Sequence, residues 1–189
     1  MSDTFSKHFE LLANAGFKKM LLPIIPPGSN ISSVSGLSSD NCGKIPGRYL
    51  GDDGWCGFTG WSKHEATDAD IKEWETWPGV GVGIKCGTIV GVDIDVTDEA
   101  LAILIENLAI KILGPAPLRI GNSPKRLLPY TIKDPLKKTR NEYAEKTTGE
   151  VHVIEILGSG QQFVAEGVHP KTKNPYAWER GSLSDIGFD

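Results

Sequence analysis

The chain predicts a mixed fold of class α/β or α+β, because helical and strand patterns interleave along it. Three observations carry that prediction. The run DEALAILIENLAIKIL, residues 98–113, has helical periodicity and is apolar over a broad face. Short β-branched runs recur at VGVGIK, TIVGVDIDV, VHVIEIL and QQFVAEGV. No internal repeat or low-complexity tract is present.

Residues 4–15 carry Phe5, Phe9, Leu12 and Ala13 at helical spacing, which predicts a first amphipathic helix. KKMLLPIIPPG reads as a strand running into a turn. Residues 29–54 are rich in Gly, Ser, Asn and Asp and predict a long loop; loops of that length inside domains are often functional. Thr67 opens TDADIKEWETW as a helix cap, with Asp70 three residues on as its capping-box partner, and Pro78-Gly79 ends that helix. Two strands joined at residues 85–88 follow. Gly114-Pro115 stops the long helix. A strand at residues 117–120, a turn at GNSPK and a strand at RLLPYTI come next. Residues 133–148 are charged and predict loop or short helix. VHVIEIL and QQFVAEGV are strands, and HPKTKNPYAW is a turn leading to a last strand.

The 189 residues suffice for one domain, or one domain plus a small subdomain. With 39% hydrophobic and 23% charged residues, the composition is that of an ordinary soluble globular protein. A net charge of -4 excludes a polycation, so any nucleic-acid contact must come from local basic patches. Cys42, Cys56 and Cys86 form no CxxC pair, which points to free thiols in a reducing cytoplasm. The first residues lack the apolar core of a signal peptide. No stretch approaches the roughly 20 apolar residues that span a bilayer. The chain ends abruptly at GSLSDIGFD without an obvious closing element, as expected of one domain cut from a longer protein.

The most informative stretch is IVGVDIDVTD. Side chains alternate along a strand, so Asp93 and Asp95 share one face while Val92, Ile94 and Val96 take the other. Two adjacent carboxylates at the end of an apolar strand repel each other and resist desolvation. A bound cation removes that penalty, and hard oxygen ligands suit Mg²⁺ or Mn²⁺. The competing reading is a solvated strand end. Glu155 sits mid-strand in VHVIEIL, flanked by Ile154 and Ile156. There it needs an ion pair with Lys or Arg, or it supplies a third metal ligand.

Around the Gly-Asn-Ser-Pro turn of LRIGNSPKRLLPY stand Arg119, Ser123, Lys125 and Arg126. Such a turn presents backbone N–H groups and cations to an anion, or is a plain hairpin with solvated basic residues. It is not a GxxxxGK[ST] loop. His169 precedes Pro170 at a turn, where an ordinary hydrogen bond is the commoner role. His8, His64 and His152 read as structural. Gln161 and Gln162 face opposite sides, so one of them can reach a base or sugar. Lys133, Lys137, Lys138 and Arg140 form a basic run, more often a solvated loop than a phosphate contact. Trp74 and Trp77 read as core. Trp55 and Trp61 fall in the loop, where packing is the safer reading and base stacking the alternative.

In order and spacing these pieces resemble the bifunctional primase-polymerase domain of the archaeo-eukaryotic primase superfamily, phage and plasmid type, from about Leu22 to Trp178. GKIPGRY, with Lys44 and Pro46, resembles the family's Lys-x-Pro element. Asp93 and Asp95 fall on its acid-x-acid motif and Glu155 on its single-acid motif. VAEGVHPKTKNPYAW resembles its closing Ser-x-His-Pro…Tyr-x-Trp stretch, with Gly167 where Ser is frequent. The second motif departs: GNSPKRLL stands where Ser-x-His is usual, and no histidine is there.

The resemblance implies an α+β primase core over residues 1–189. In it an RNA-recognition-like sheet joins a small second α/β unit, with the active-site cleft between them. It implies a nucleotidyltransferase, a DNA primase or DNA polymerase, with two Mg²⁺ or Mn²⁺ ions on Asp93, Asp95 and Glu155. Arg119, Ser123, Lys125, Arg126 and His169 would grip the nucleoside triphosphate. Single-stranded DNA template and primer are the implied partners, with a helicase domain or partner in a longer replication protein. The alternatives are a metal-dependent nuclease, a sugar-nucleotide transferase using the same acids, or a non-catalytic single-stranded nucleic-acid-binding module.

Overall fold

A computed structural model describes residues 5–146 and 148–186. Thr4 of the first expected helix, Thr147 of the charged segment and residues 187–189 of the closing stretch lie outside them. In chain order the elements are α1 (Lys7–Leu12), β1 (Leu21–Ile24), β2 (Gly47–Tyr49), β3 (Trp55–Gly57), α2 (Asp68–Trp74), β4 (Gly81–Lys85), β5 (Ile89–Asp95) and α3 (Glu99–Leu113). Then follow β6 (Leu118–Asn122), β7 (Lys125–Thr131), β8 (Thr139–Ala144), β9 (Val151–Leu157), β10 (Gln162–Glu166) and β11 (Ala177–Arg180). The class is mixed, with few helices and antiparallel sheets.

The chain forms two units. One holds the residues through Lys85 together with Phe163–Tyr176; the other holds Cys86–Gln162 and the chain from Ala177. The change of unit at Lys85 explains why β4 and β5, joined by a short turn, do not form a hairpin: they belong to different sheets.

In the first unit β1, β4 and β10 form a sheet in that order, with Leu22 of β1 opposite Gly83 of β4. All four residues of β1 are buried, so its apolar run needs no alternation. Aromatic rings fill this core: Phe9 lies 5.5 Å from Trp74, and Trp55 lies 5.7 Å from Trp77 edge to face. Trp55 is therefore a packing residue and not a free stacking platform. Thr67 caps α2 as its sequence predicts: its hydroxyl accepts from Asp70 N–H, and the Asp70 carboxylate accepts from Thr67 N–H at 2.8 Å. The predicted long loop contains β2, which pairs antiparallel with β3.

In the second unit six strands form a sheet in the order β11-β6-β7-β5-β9-β8, antiparallel at every pairing. One face is covered by α3: Ala102, Leu101, Ile105 and Ile110 pack against Val92, Ile94, Leu118 and Leu128. Asp98 caps α3 by accepting from Leu101 N–H at 2.7 Å, and Gly114, at φ 96°, ends it in a conformation that L side chains rarely adopt. The outer side of α3 leaves Leu104, Leu108 and Ile112 exposed. Residues 133–148, expected as loop or short helix, supply the edge strand β8. Every residue of β8 is exposed, so its sequence TRNEYA is polar and carries no apolar alternation to betray it. Among the described residues no helix is long and apolar enough to cross a membrane.

Candidate active site

The site is built on β5, the central strand that pairs with both β7 and β9. Val92 and Ile94 turn toward α3, so alternation turns Asp93 and Asp95 to the other face. Register then fills that face. Asp93 stands directly opposite Glu155 of β9 on one side and Leu127 of β7 on the other. Directly opposed residues in an antiparallel pair have side chains about 5 Å apart on one face. The row continues outward from Glu155 to Arg140 of β8, and from Leu127 to Arg119 of β6 and Trp178 of β11. Asp95 and Lys125 lie one step along the same face and form an ion pair.

The three acids differ electrically. Burial pushes the Asp93 carboxyl up to about 6; Asp95 and Glu155 add to the rise, while Arg119 and Lys125 oppose it. Among the described residues no cation stands within ion-pair distance of Asp93. Glu155 is nearly buried, with 12% of its side chain exposed, and its Oε1 accepts from Arg140 Nη1 at 2.7 Å and faces Lys138 Nζ at 2.9 Å. Burial alone would raise the Glu155 carboxyl, but those two cations outweigh it and hold it below the usual carboxylate range. The ion pair weighed in the sequence reading of Glu155 is therefore present, and it coexists with placement beside Asp93. Three carboxylates share one face, one of them short of positive charge, and a hard divalent cation bound there would relieve both burial and mutual repulsion; among the described residues the acids and histidine whose ligand atoms all lie within 4.8 Å of one another are instead Glu145, Glu150 and His152.

The basic residues divide. Lys125 and Arg119 share the face of the acids. Ser123 is exposed in the β6–β7 turn. Arg126 takes the opposite face and is 6% exposed. There its guanidinium bonds Glu106 of α3 and the carbonyl of Pro124, and Arg180 Nη1 bonds the other Glu106 oxygen at 2.8 Å. Arg126, expected to grip the triphosphate, is thus on the face opposite the acids, because a shift of one residue along a strand reverses the face. His169 lies in the first unit, buried, with its ring edge-on to Tyr176 at 5.3 Å. Its Nδ1 accepts from the N–H groups of Lys171 and Thr172, both at 3.3 Å, so the ring organises the HPKT turn and carries its proton on Nε2. Lys44 is exposed, also in the first unit.

Lys138 and Arg140 are the residues at the acids that composition alone leaves in a solvated run. Alternation along TRNEYA would have paired Arg140 with Glu142, had the strand been visible. A second cluster, Glu145, Glu150 and His152, has ligand atoms within 4.8 Å of one another. It lies off the row, since His152 is three residues from Glu155 and faces the other way. Its acids are exposed and bond Thr148 and Thr97.

Carboxylates beside lysine and arginine on one sheet face are groups that could take up a divalent ion and a phosphate together. One family model, described as bifunctional DNA primase/polymerase, N-terminal, matches residues 12–186. The chain belongs to that family, whose members are primases and polymerases of nucleotidyltransferase type and are generally metal-dependent. No curated protein matches the chain.

Proposed function

We propose that the chain catalyses template-directed nucleotidyl transfer, as a DNA primase, a DNA polymerase or both, in the replication of a phage, plasmid or integrated mobile element. The observation that carries the reading is the register of β5 and β9, which sets Asp93 opposite Glu155 with Asp95 beside them. Asp93, Asp95 and Glu155 would hold Mg²⁺ or Mn²⁺. Bound there, the ions supply positive charge at the attacking 3′-hydroxyl and at the leaving pyrophosphate.

The protein's own part is positioning. Leu127 and the strands on either side lock the β5 backbone, so the acids present their oxygens in one geometry. Lys125 and Arg119 neutralise the triphosphate, and Ser123 with the turn backbone adds donors to it. Arg126 has no part in this grip; it holds the sheet to α3. Single-stranded DNA is the template, and a helicase activity, in the same protein or a partner, would expose it.

The test is primer extension on single-stranded DNA with Mn²⁺ or Mg²⁺ and either nucleotide type. Wild-type protein lengthens the primer. The double variant Asp93→Ala, Asp95→Ala keeps its circular dichroism and loses at least about a thousandfold in rate. Shortening of the primer by the wild type, or undiminished extension by the folded double variant, overturns the proposal.

A further inference from the structure

Two cations occupy the same oxygen of Glu155: Arg140 Nη1 at 2.7 Å and Lys138 Nζ at 2.9 Å from Oε1. On the reading of Glu155 as a metal ligand, this arrangement conflicts with metal binding. A divalent ion on Glu155 would face two positive charges within a few ångströms, and like charges at that range repel strongly in a partly desolvated site. The conflict is relieved if the cations leave the carboxylate as a polyanion arrives. Both are able to move. Their side chains are 38% and 47% exposed, Arg140 on an edge strand whose every residue is exposed and Lys138 in the residue before it, whereas the Glu155 side chain is 12% exposed. Arg140 also has an alternative anchor in Glu142, with Nη2 to Oε1 at 2.6 Å. A guanidinium fork matches phosphate as well as it matches carboxylate.

We propose that Lys138 and Arg140 are exchangeable counter-ions. In the empty site they neutralise Glu155; in the loaded site they are displaced by the divalent ion and bind the polyphosphate of the incoming nucleotide. The pair thereby couples the two ligands. Metal alone must compete with two cations and binds weakly, and nucleotide brings the negative charge that releases them. Binding of either ligand favours the other, by the same factor in both directions.

The experiment measures binding, not turnover. Mn²⁺ is titrated into the protein and followed by electron paramagnetic resonance, with and without a deoxynucleoside triphosphate whose α–β bridging oxygen is a methylene. The Arg140→Ala variant and the Lys138→Ala, Arg140→Ala variant are compared with wild type, and Arg140→Lys serves as the conservative control. The expected result has opposite signs. Mn²⁺ alone binds severalfold tighter to the alanine variants. The nucleotide analogue, with Mn²⁺ present, binds about tenfold more weakly, so the coupling shrinks. Arg140→Lys retains part of it. Parallel weakening of both ligands together with a lowered Tm would mean that the pairs only brace β8, and overturns the inference. Unchanged nucleotide affinity overturns it too. Asp93→Asn separates the levels: if Mn²⁺ binding ignores that substitution, the metal reading of the acids fails; if it depends on Asp93 while nucleotide affinity ignores Lys138 and Arg140, only the counter-ion exchange fails.

Discussion

The two faces of the six-stranded sheet each bury a carboxylate, and they treat it in opposite ways. Under α3, Glu106 is bonded by Arg126 and Arg180, one on each oxygen. Burial alone would raise its carboxyl, but the two guanidinium groups more than offset that and hold it below the usual range. On the other face burial drives the Asp93 carboxyl up to about 6, with its two acid neighbours adding to the rise. Arg119 on the same face offsets part of that rise, while the other nearby cations pair elsewhere: Lys125 with Asp95, Lys138 and Arg140 with Glu155, Arg126 on the far face. A satisfied buried acid holds structure together, whereas an acid held among like charges is a reservoir of binding energy for a cation.

Removing the cation from the satisfied acid should have the largest effect on stability. Arg126→Ala leaves Glu106 partly unpaired in a buried setting and is expected to destabilise by about 3–5 kcal/mol in denaturant unfolding. Below its melting temperature the variant keeps wild-type nucleotide affinity. An unchanged stability with weakened nucleotide binding would put Arg126 in the site after all and break the contrast between the faces.

Neutralising each acid in turn sharpens the contrast through pH. Asp93 has a folded value above its unfolded one, so the folded metal-free protein holds this proton more tightly, and the group's contribution falls as pH rises from about 4 through 6. Asp93→Asn should therefore stabilise the metal-free protein above pH 6, by at most about 3 kcal/mol, with the gain vanishing near pH 4. Glu106 has the opposite sign. Its folded value is depressed, so its stabilisation is present at neutral pH and is lost only as pH falls through that lowered value. Glu106→Gln should lower the melting temperature at pH 7, with the gap closing in acid. Two Tm-against-pH curves decide the matter, and curves of the same sign would erase the distinction.

The smallest stability effect is expected at Lys125, whose pair with Asp95 is 34% and 46% exposed. Lys125→Ala should change stability by no more than about 1 kcal/mol while raising the nucleotide KM severalfold with less change in kcat. A KM that stays at the wild-type value would remove Lys125 from the phosphate grip.

Local pattern determined a good part of this protein. The caps at Thr67 and Asp98, the periodicity of α3 and the shared face of Asp93 and Asp95 all follow from neighbours within a few residues. The match over residues 12–186 agrees with the family that the order of the motifs resembles. Three things were decided only by tertiary structure. The edge strand β8 has no apolar alternation because no side of it is buried, so it was invisible until β9 paired with it. The register of β9 on β5, which sets Glu155 opposite Asp93, depends on partners 62 residues away in the chain, beyond the reach of any local signal. Lys125 and Arg126, adjacent and chemically alike, separated onto opposite faces, one to Asp95 and one to Glu106. Their shared residue type announced a basic turn; only the pleat of β7 and the position of α3 determined which of the two could meet a phosphate.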